Sequence, residues 1–185
     1  MSKVFITSND SIKNTVPFIC SGQGLGDLIS TMDNPVGLEI GTDIGDTSEF
    51  LFKSNPTLKL FTIDPYVDYT DWNGNVLRSS LVYEKYMTRL SAYKDRHVHF
   101  RCTSDEAVLS LKENQFDFIF IDGIHTYEQV KIDCNNFYSM VKDGGIFSGH
   151  DYNVIKGVRE AVDEFAAKVN KKVLTTHHDV WYWIK

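Results

Sequence analysis

The chain has 185 residues, is 42% hydrophobic and carries a formal net charge of −6 at pH 7. That length suits one domain with a full hydrophobic core, and the acidic balance argues against a nucleic-acid-binding surface, which needs a basic stripe, with a local patch left open. No apolar run is long enough to span a membrane, and the opening MSKVFITSND lacks the charged-then-apolar profile of a secretory signal.

In chain order, the first glycine-rich stretch, SGQGLGDL (21–28), has no strand-like run feeding it and reads as a loop or helix cap. VGLEI (36–40) reads as a strand, and a short helix from about Thr47 must stop near Pro56. LKLFTI (58–63) is a second strand. Val82, Tyr86, Leu90 and Tyr93 recur at helical spacing and predict a helix over 79–93. HVHFR (97–101) is a third strand, on which His97 and His99 alternate as structural residues. Thr103 and Glu106 form a capping box that opens a helix through Leu111. FDFIFI (116–121) is the apolar run of a strand buried on both faces. Tyr127, Val130, Cys134, Phe137 and Val141 step by three and four, so another helix follows. A Lys-Asp-Gly-Gly turn leads into GGIFSG, a fifth strand, and Val158, Ala161, Val162 and Phe165 mark a last helix. KKVLTT (171–176) and VWYWIK (180–185) close the chain as an antiparallel pair across a short polar turn that holds His177 and His178.

This alternation implies an α/β fold: a Rossmann-like, doubly wound sheet of about seven strands, mostly parallel with an antiparallel last strand, and helices on both faces. In such sheets ligands bind beyond the carboxyl ends of the strands. The segments placed there are GTDIGD, DPYVDY, CTSDE, DGIHTY and HDYN, all rich in Asp, His or small polar residues. Cys20, Cys102 and Cys134 are odd in number, lack C-x-x-C spacing and read as thiols of a reducing compartment, so the expected location is cytoplasmic.

The loop LEIGTDIGDTS places Gly41 and Gly45 four apart beside Glu39, Asp43 and Asp46. A dinucleotide pyrophosphate would be badly placed among these acids, since like charges about 4 Å apart repel by roughly 4 kcal/mol at an effective dielectric of about 20. The spacing also departs from G-x-G-x-x-G. A cofactor with an ammonium group, a sulfonium centre and no phosphate suits the loop, and Asp64 after the second strand stands where ribose hydroxyls need an acid. The structural alternative is a tight turn with solvated acids.

The segments VGLEIGTDIGDTS, FTIDPY, FDFIFIDGIHTYEQV and DGGIFSGHDY resemble, in order and spacing, the motifs of class I S-adenosylmethionine-dependent methyltransferases. Within that family the chain is most similar to the small-molecule branch of macrocin and catechol O-methyltransferases. The resemblance implies a methyltransferase domain over 34–185, with 1–33 as an N-terminal helical segment capping the cofactor or substrate side. It implies that Glu39, Gly41, Thr42 and Gly45 hold the methionine portion of the cofactor, that Asp64 takes the ribose and that Ser104 and Asp105 read the adenine edge. Asp122 then lies close to the methyl donor and, with Asp151 and His150, to Mg2+ or another divalent cation. Tyr152 stands where catechol-type members carry Asn after the second acid, which leaves fewer oxygen ligands for a hard ion.

His125 lies three residues after Asp122, where catechol-type members place a lysine base. With an unperturbed pKa of about 6.5 it can accept a proton at neutral pH, so His125 and Asp122 are the candidate catalytic residues. The alternative for His125 is a helix cap before Thr126. Tyr66, Tyr69 and Trp72 follow the ribose acid and could wall an apolar or sugar-like acceptor, cover the adenine or pack in the core. The expected partner is a small-molecule acceptor, with no nucleic acid and no membrane, and a homo-oligomer is left open. The competing functions are a non-catalytic cofactor-binding module of the same fold and an NAD-dependent oxidoreductase.

Overall fold

Residues with apolar side chains on both faces take the middle of the sheet. In the computed structural model, which describes residues 22–70, 76–77 and 79–185, strands β1 (Val36–Ile40), β2 (Lys59–Ile63), β5 (His97–Phe100), β6 (Phe116–Ile121), β7 (Val141–Gly149), β8 (Leu174–Thr175) and β9 (Trp181–Ile184) form one seven-stranded sheet. A small hairpin pairs β3 (Tyr69–Thr70) with β4 (Val76–Leu77). The sheet order is β5-β2-β1-β6-β7-β9-β8. The five strands from β5 to β7 run parallel, and β9 runs antiparallel to both its neighbours. The order reverses between β1 and β6, so the switch point lies at the loops after these two strands.

Helices α1 (Gln23–Ile29), α2 (Asp46–Ser54) and α3 (Ser79–Leu90) cover one face, where Leu25, Ile29, Leu51, Phe52 and Tyr86 pack on Leu60, Phe118 and Phe120. Helices α5 (Tyr127–Phe137) and α6 (Lys156–Lys168) cover the other, where Val130, Cys134, Val162 and Phe165 pack on Leu38, Ile119 and Phe147. Between β5 and β6 runs α4 (Ser104–Ala107), opened by the expected capping box of Thr103 and Glu106. Among the described residues no helix is long and apolar enough to cross a membrane.

Several elements depart from the sequence expectation. The helix expected through Val141 ends at Phe137, and Val141 opens β7. SGQGLGDL is largely helix α1 rather than a loop or cap, because Gly24 and Gly26 let it lie close to its neighbours. A Cβ at Gly24 would come 2.6 Å from the His177 carbonyl oxygen, and one at Gly26 2.4 Å from the Phe50 ring. The Lys-Asp-Gly-Gly segment lies inside β7 as a bulge: Phe116 pairs with Val141 but Phe118 with Ile146, and Gly144 absorbs the kink at φ +79°. The helix from Thr103 gives way to a 3-10 turn at Val108 rather than continuing through Leu111. The first closing strand shrinks to Leu174–Thr175. Cys20, Trp72 and residues 1–21 of the N-terminal segment lie outside the described residues, and of Tyr69 only the backbone is described.

Candidate active site

The loop after β1 needs its glycines. Gly41 and Gly45 sit at φ +83° and +82°, and a Cβ on Gly41 would meet the Asp122 carbonyl oxygen at 2.2 Å. The loops after β1 and β6 are therefore in contact. Asp64 fastens the same loop from β2. Its Oδ2 accepts the Thr42 and Asp43 backbone N–H groups at 3.0 and 3.2 Å, and its Oδ1 accepts that of Tyr66 at 2.9 Å. Thr42 Oγ1 also lies 3.5 Å from Oδ2. A carboxylate offers about four acceptor positions, so with Oδ2 crowded the position left for a ligand hydroxyl is on Oδ1. The Tyr66 hydroxyl completes the brace, donating to the Asp43 carbonyl at 2.8 Å and accepting from Thr42 Oγ1 at 2.7 Å. Of the roles open to Tyr66, the structure shows core packing: it is 5% exposed and lies against Tyr86.

The three loop acids do not ring a ligand as their closeness in sequence suggests. Glu39 is 1% exposed and accepts a hydrogen bond from the Ser48 hydroxyl. Burial, reinforced by Asp122 and Asp64, pushes its carboxyl well above the usual range against the effect of Ser48. Asp46 is ion-paired to Arg89, and Asp43 is exposed at φ +44°. The negative charge facing the strand ends comes instead from Asp64, Asp122 and Asp151.

Asp122 is the first residue after β6, and its N–H donates to the Ile40 carbonyl at 2.8 Å. Asp151 lies just beyond β7, in the left-handed region at φ +63°. His125 bridges them: its Nε2 is 3.2 Å from Asp122 Oδ1 and 3.0 Å from Asp151 Oδ2. The cap of α5 is Thr126, whose hydroxyl accepts from the Gln129 N–H, so His125 is free to face the acids. Asp122 and Asp151 push its pKa up to about 9, against the pull of burial, so in this arrangement the ring is an imidazolium at neutral pH. Burial works to raise Asp151, but His125 and His150 hold it well below the usual carboxylate range.

His150 was expected among the metal ligands and stands behind Asp151. Its Nε2 donates to the His178 carbonyl at 2.7 Å and its Nδ1 is 3.1 Å from Asp151 Oδ1. Burial pulls its pKa down, but these acceptors and Asp122 leave it raised. The Trp181 indole N–H donates to the His150 carbonyl at 3.2 Å. Nothing in the local sequence signals this tether, because its partners lie 28 and 31 residues away.

On the far side, the Asp64 N–H donates to the Phe100 carbonyl at 3.2 Å, which sets the ribose candidate beside the end of β5. Ser104 and Asp105 open α4 there. Ser104 Oγ accepts from Gln129 Nε2 at 3.3 Å, while Asp105 is exposed. Beneath the loop, Thr62 Oγ1 lies 2.9 Å from His97 Nε2 and 3.0 Å from His99 Nδ1, with the Tyr86 hydroxyl 2.8 and 3.1 Å from the same nitrogens. These histidines are structural, as expected. His177 and His178 lie on a 3-10 turn, the first 3.7 Å from Asp27.

A family model described as a methyltransferase domain matches residues 38–152, which span the glycine loop, Asp64, Asp122 and Asp151. The chain belongs to this family. An uncharacterized protein of Acanthamoeba polyphaga mimivirus is 27% identical to this methyltransferase domain over 143 residues, 74% of this chain, and the chain spans 62% of that relative's length. Among solved structures, a proposed caffeoyl-CoA O-methyltransferase from Staphylococcus aureus matches with a TM-score of 0.64 at 17% identity, over 87% of this chain and 80% of that one. An O-methyltransferase from Bacillus cereus in complex with SAH matches at 0.59 and 16% identity, over 87% and 79%. A precorrin-6y C5,15-methyltransferase from Geobacter metallireducens matches at 0.63 and 15% identity, over 86% and 85%. At these identities the structural likeness is one of fold.

Proposed function

We propose that this chain transfers a methyl group from S-adenosylmethionine to a hydroxyl oxygen of a small-molecule acceptor. The observation that carries the reading is the contact of the Gly41 loop with the Asp122 loop at the switch point, which sets a nucleoside-binding acid and an acid–histidine centre side by side. The O-methyltransferases among the structural neighbours, one of them bound to SAH, support it.

In this reading Gly41, Thr42 and Gly45 present backbone to the amino-acid end of the cofactor, with Glu39 buried beneath them. Asp64 accepts a ribose hydroxyl on its remaining lone pair, and Ser104 and Asp105 border the adenine. Bound there, S-adenosylmethionine supplies an electrophilic methyl group on a sulfonium centre, whose positive charge Asp122 and Asp64 favour. The acceptor lies over Asp122, His125 and Asp151: the imidazolium of His125, held between the two acids, orients the hydroxyl as a donor, and the Asp122 carboxylate takes up its proton. Asp122 and Asp151 would hold a divalent cation, which lowers a hydroxyl pKa. Alignment of two reactants is worth about 7–11 kcal/mol, so the rigid supports of these loops matter more than any single proton transfer.

Differential scanning fluorimetry with S-adenosylhomocysteine beside NAD tests the reading. At a hundredfold excess over its dissociation constant a ligand adds about 2.7 kcal/mol, expected here as a rise in melting temperature of about 5–10 °C. A rise with NAD alone, or none with millimolar S-adenosylhomocysteine, would overturn it.

A further inference from the structure

The donor set beyond β6 and β7 contains a nitrogen. Asp122, His125 and Asp151 each bring one ligand atom within 4.8 Å of the others, and the two histidine–carboxylate edges measure 3.2 and 3.0 Å. Two ligand atoms bonded to one ion at about 2.1 Å lie about 3.0 Å apart at an octahedral angle and about 3.4 Å apart at a tetrahedral one. Both observed edges fall in that range, so on each of them an ion can take the place of the imidazole proton.

The supports suit ligands as well. Asp122 is pinned by its backbone to β1. Asp151 is held by His150, which is itself fixed by the His178 carbonyl. A partner that orients a ligating carboxylate in this way is the usual outer shell of a metal site. Tyr152 adds no oxygen, because its hydroxyl donates to Asp163 at 2.6 Å and its ring lies under Arg159. Magnesium takes oxygen ligands and keeps several waters, whereas an imidazole with carboxylates suits zinc, cobalt, nickel or ferrous iron.

We propose that Asp122, His125 and Asp151 bind a divalent transition-metal ion of the zinc, cobalt and nickel class in preference to magnesium, with His125 Nε2 as a ligand. This deepens the proposed methyltransferase reading, because it makes His125 a holder of the ion that orients the acceptor. A ligated Nε2 has no lone pair for the acceptor's proton, which then passes to a carboxylate or to water.

The test uses the full chain after chelator treatment, titrated with cobalt, zinc or magnesium by calorimetry and, for cobalt, by visible absorption. Wild type should take up one cobalt ion with visible ligand-field bands and bind it at least tenfold more tightly than magnesium. His125→Ala should lose cobalt affinity by a hundredfold or more while changing magnesium affinity less than threefold. Equal cobalt affinity in the two proteins, or tighter magnesium binding in wild type, would overturn the proposal. X-ray absorption of zinc-loaded wild type needs no variant: a shell with one imidazole nitrogen supports the assignment, and an all-oxygen shell refutes it. S-adenosylhomocysteine binding measured on the same samples separates the two readings. A protein that binds S-adenosylhomocysteine but takes up no cobalt overturns the metal site alone, and one that takes up cobalt but does not bind S-adenosylhomocysteine supports the metal site while overturning the methyltransferase reading.

Discussion

Replacing Asp64 by Asn keeps the shape of the side chain and removes one acceptor oxygen. In the native loop Oδ2 serves Thr42 and Asp43 and Oδ1 serves Tyr66. An amide that turns its oxygen to the first two must set its NH2 against the Tyr66 N–H, and the ribose then meets a neutral group. Loss of a hydrogen bond to a charged acceptor is worth about 1.5–3 kcal/mol, or about 10- to 150-fold in the dissociation constant of S-adenosylhomocysteine. Part of that could come from loosening the loop, so Tyr66→Phe is the control. It removes the hydroxyl that braces Thr42 and Asp43 but leaves Asp64 and all three N–H donors. Calorimetry should show Asp64→Asn weakened at least tenfold and Tyr66→Phe less than threefold. Equal losses would mean that loop order, not a ribose contact, sets affinity. Unchanged affinity in Asp64→Asn would remove the residue from the site.

Two further outcomes concern stability. Ser48→Ala strips Glu39, 1% exposed, of its hydroxyl donor and should destabilise the fold by about 1–3 kcal/mol; a urea midpoint equal to wild type would contradict that. His97 and His99 have pKa values pushed down to about 4, mainly by burial, with His97 adding to the effect on His99. Their unfolded value is about 6.5, so the folded pKa is depressed. Stability is then full above about pH 6.5 and falls as the pH drops toward about 4, where the unfolded chain takes up protons that the fold refuses. Both rings are partly exposed, so the loss should be about 1–2 kcal/mol each after allowing for solvent. Urea midpoints between pH 7 and pH 4 should fall less steeply in a His97→Gln/His99→Gln double variant, and parallel slopes would refute the assignment.

The strand ends were legible because a doubly wound sheet has a positional rule. Once VGLEI, LKLFTI, FDFIFI and GGIFSG are strands, Asp64, Asp122 and Asp151 must stand at their carboxyl ends. Side-chain fates were not legible, because each is settled by a partner remote in sequence. Asp46 turns to Arg89 on α3, and His150 turns to a carbonyl at His178. The stretch around Gly24 and Gly26 reads as a loop because glycine disfavours helix by about 1 kcal/mol per residue. It is helical because only a residue without Cβ fits against Phe50 and His177. His125 was placed correctly beside Asp122, but the second carboxylate at its Nε2 arrives from another strand and changes which proton state the ring holds.

The position of β9 ties the site to the order in which the chain is made. This strand follows β8 in sequence, yet it lies inside the sheet, between β7 and β8. A nascent chain that has emerged only through β8 has no partner for that strand, and it leaves the outer edge of β7 open over residues 146–149. An open edge of this kind templates association between chains. Arrival of Trp181–Ile184 closes the edge, buries two indoles and brings the Trp181 N–H to His150. A single late pairing event therefore ends the period of aggregation risk and completes the tether of Asp151, so that an unfinished chain is at once exposed to association and without an assembled centre.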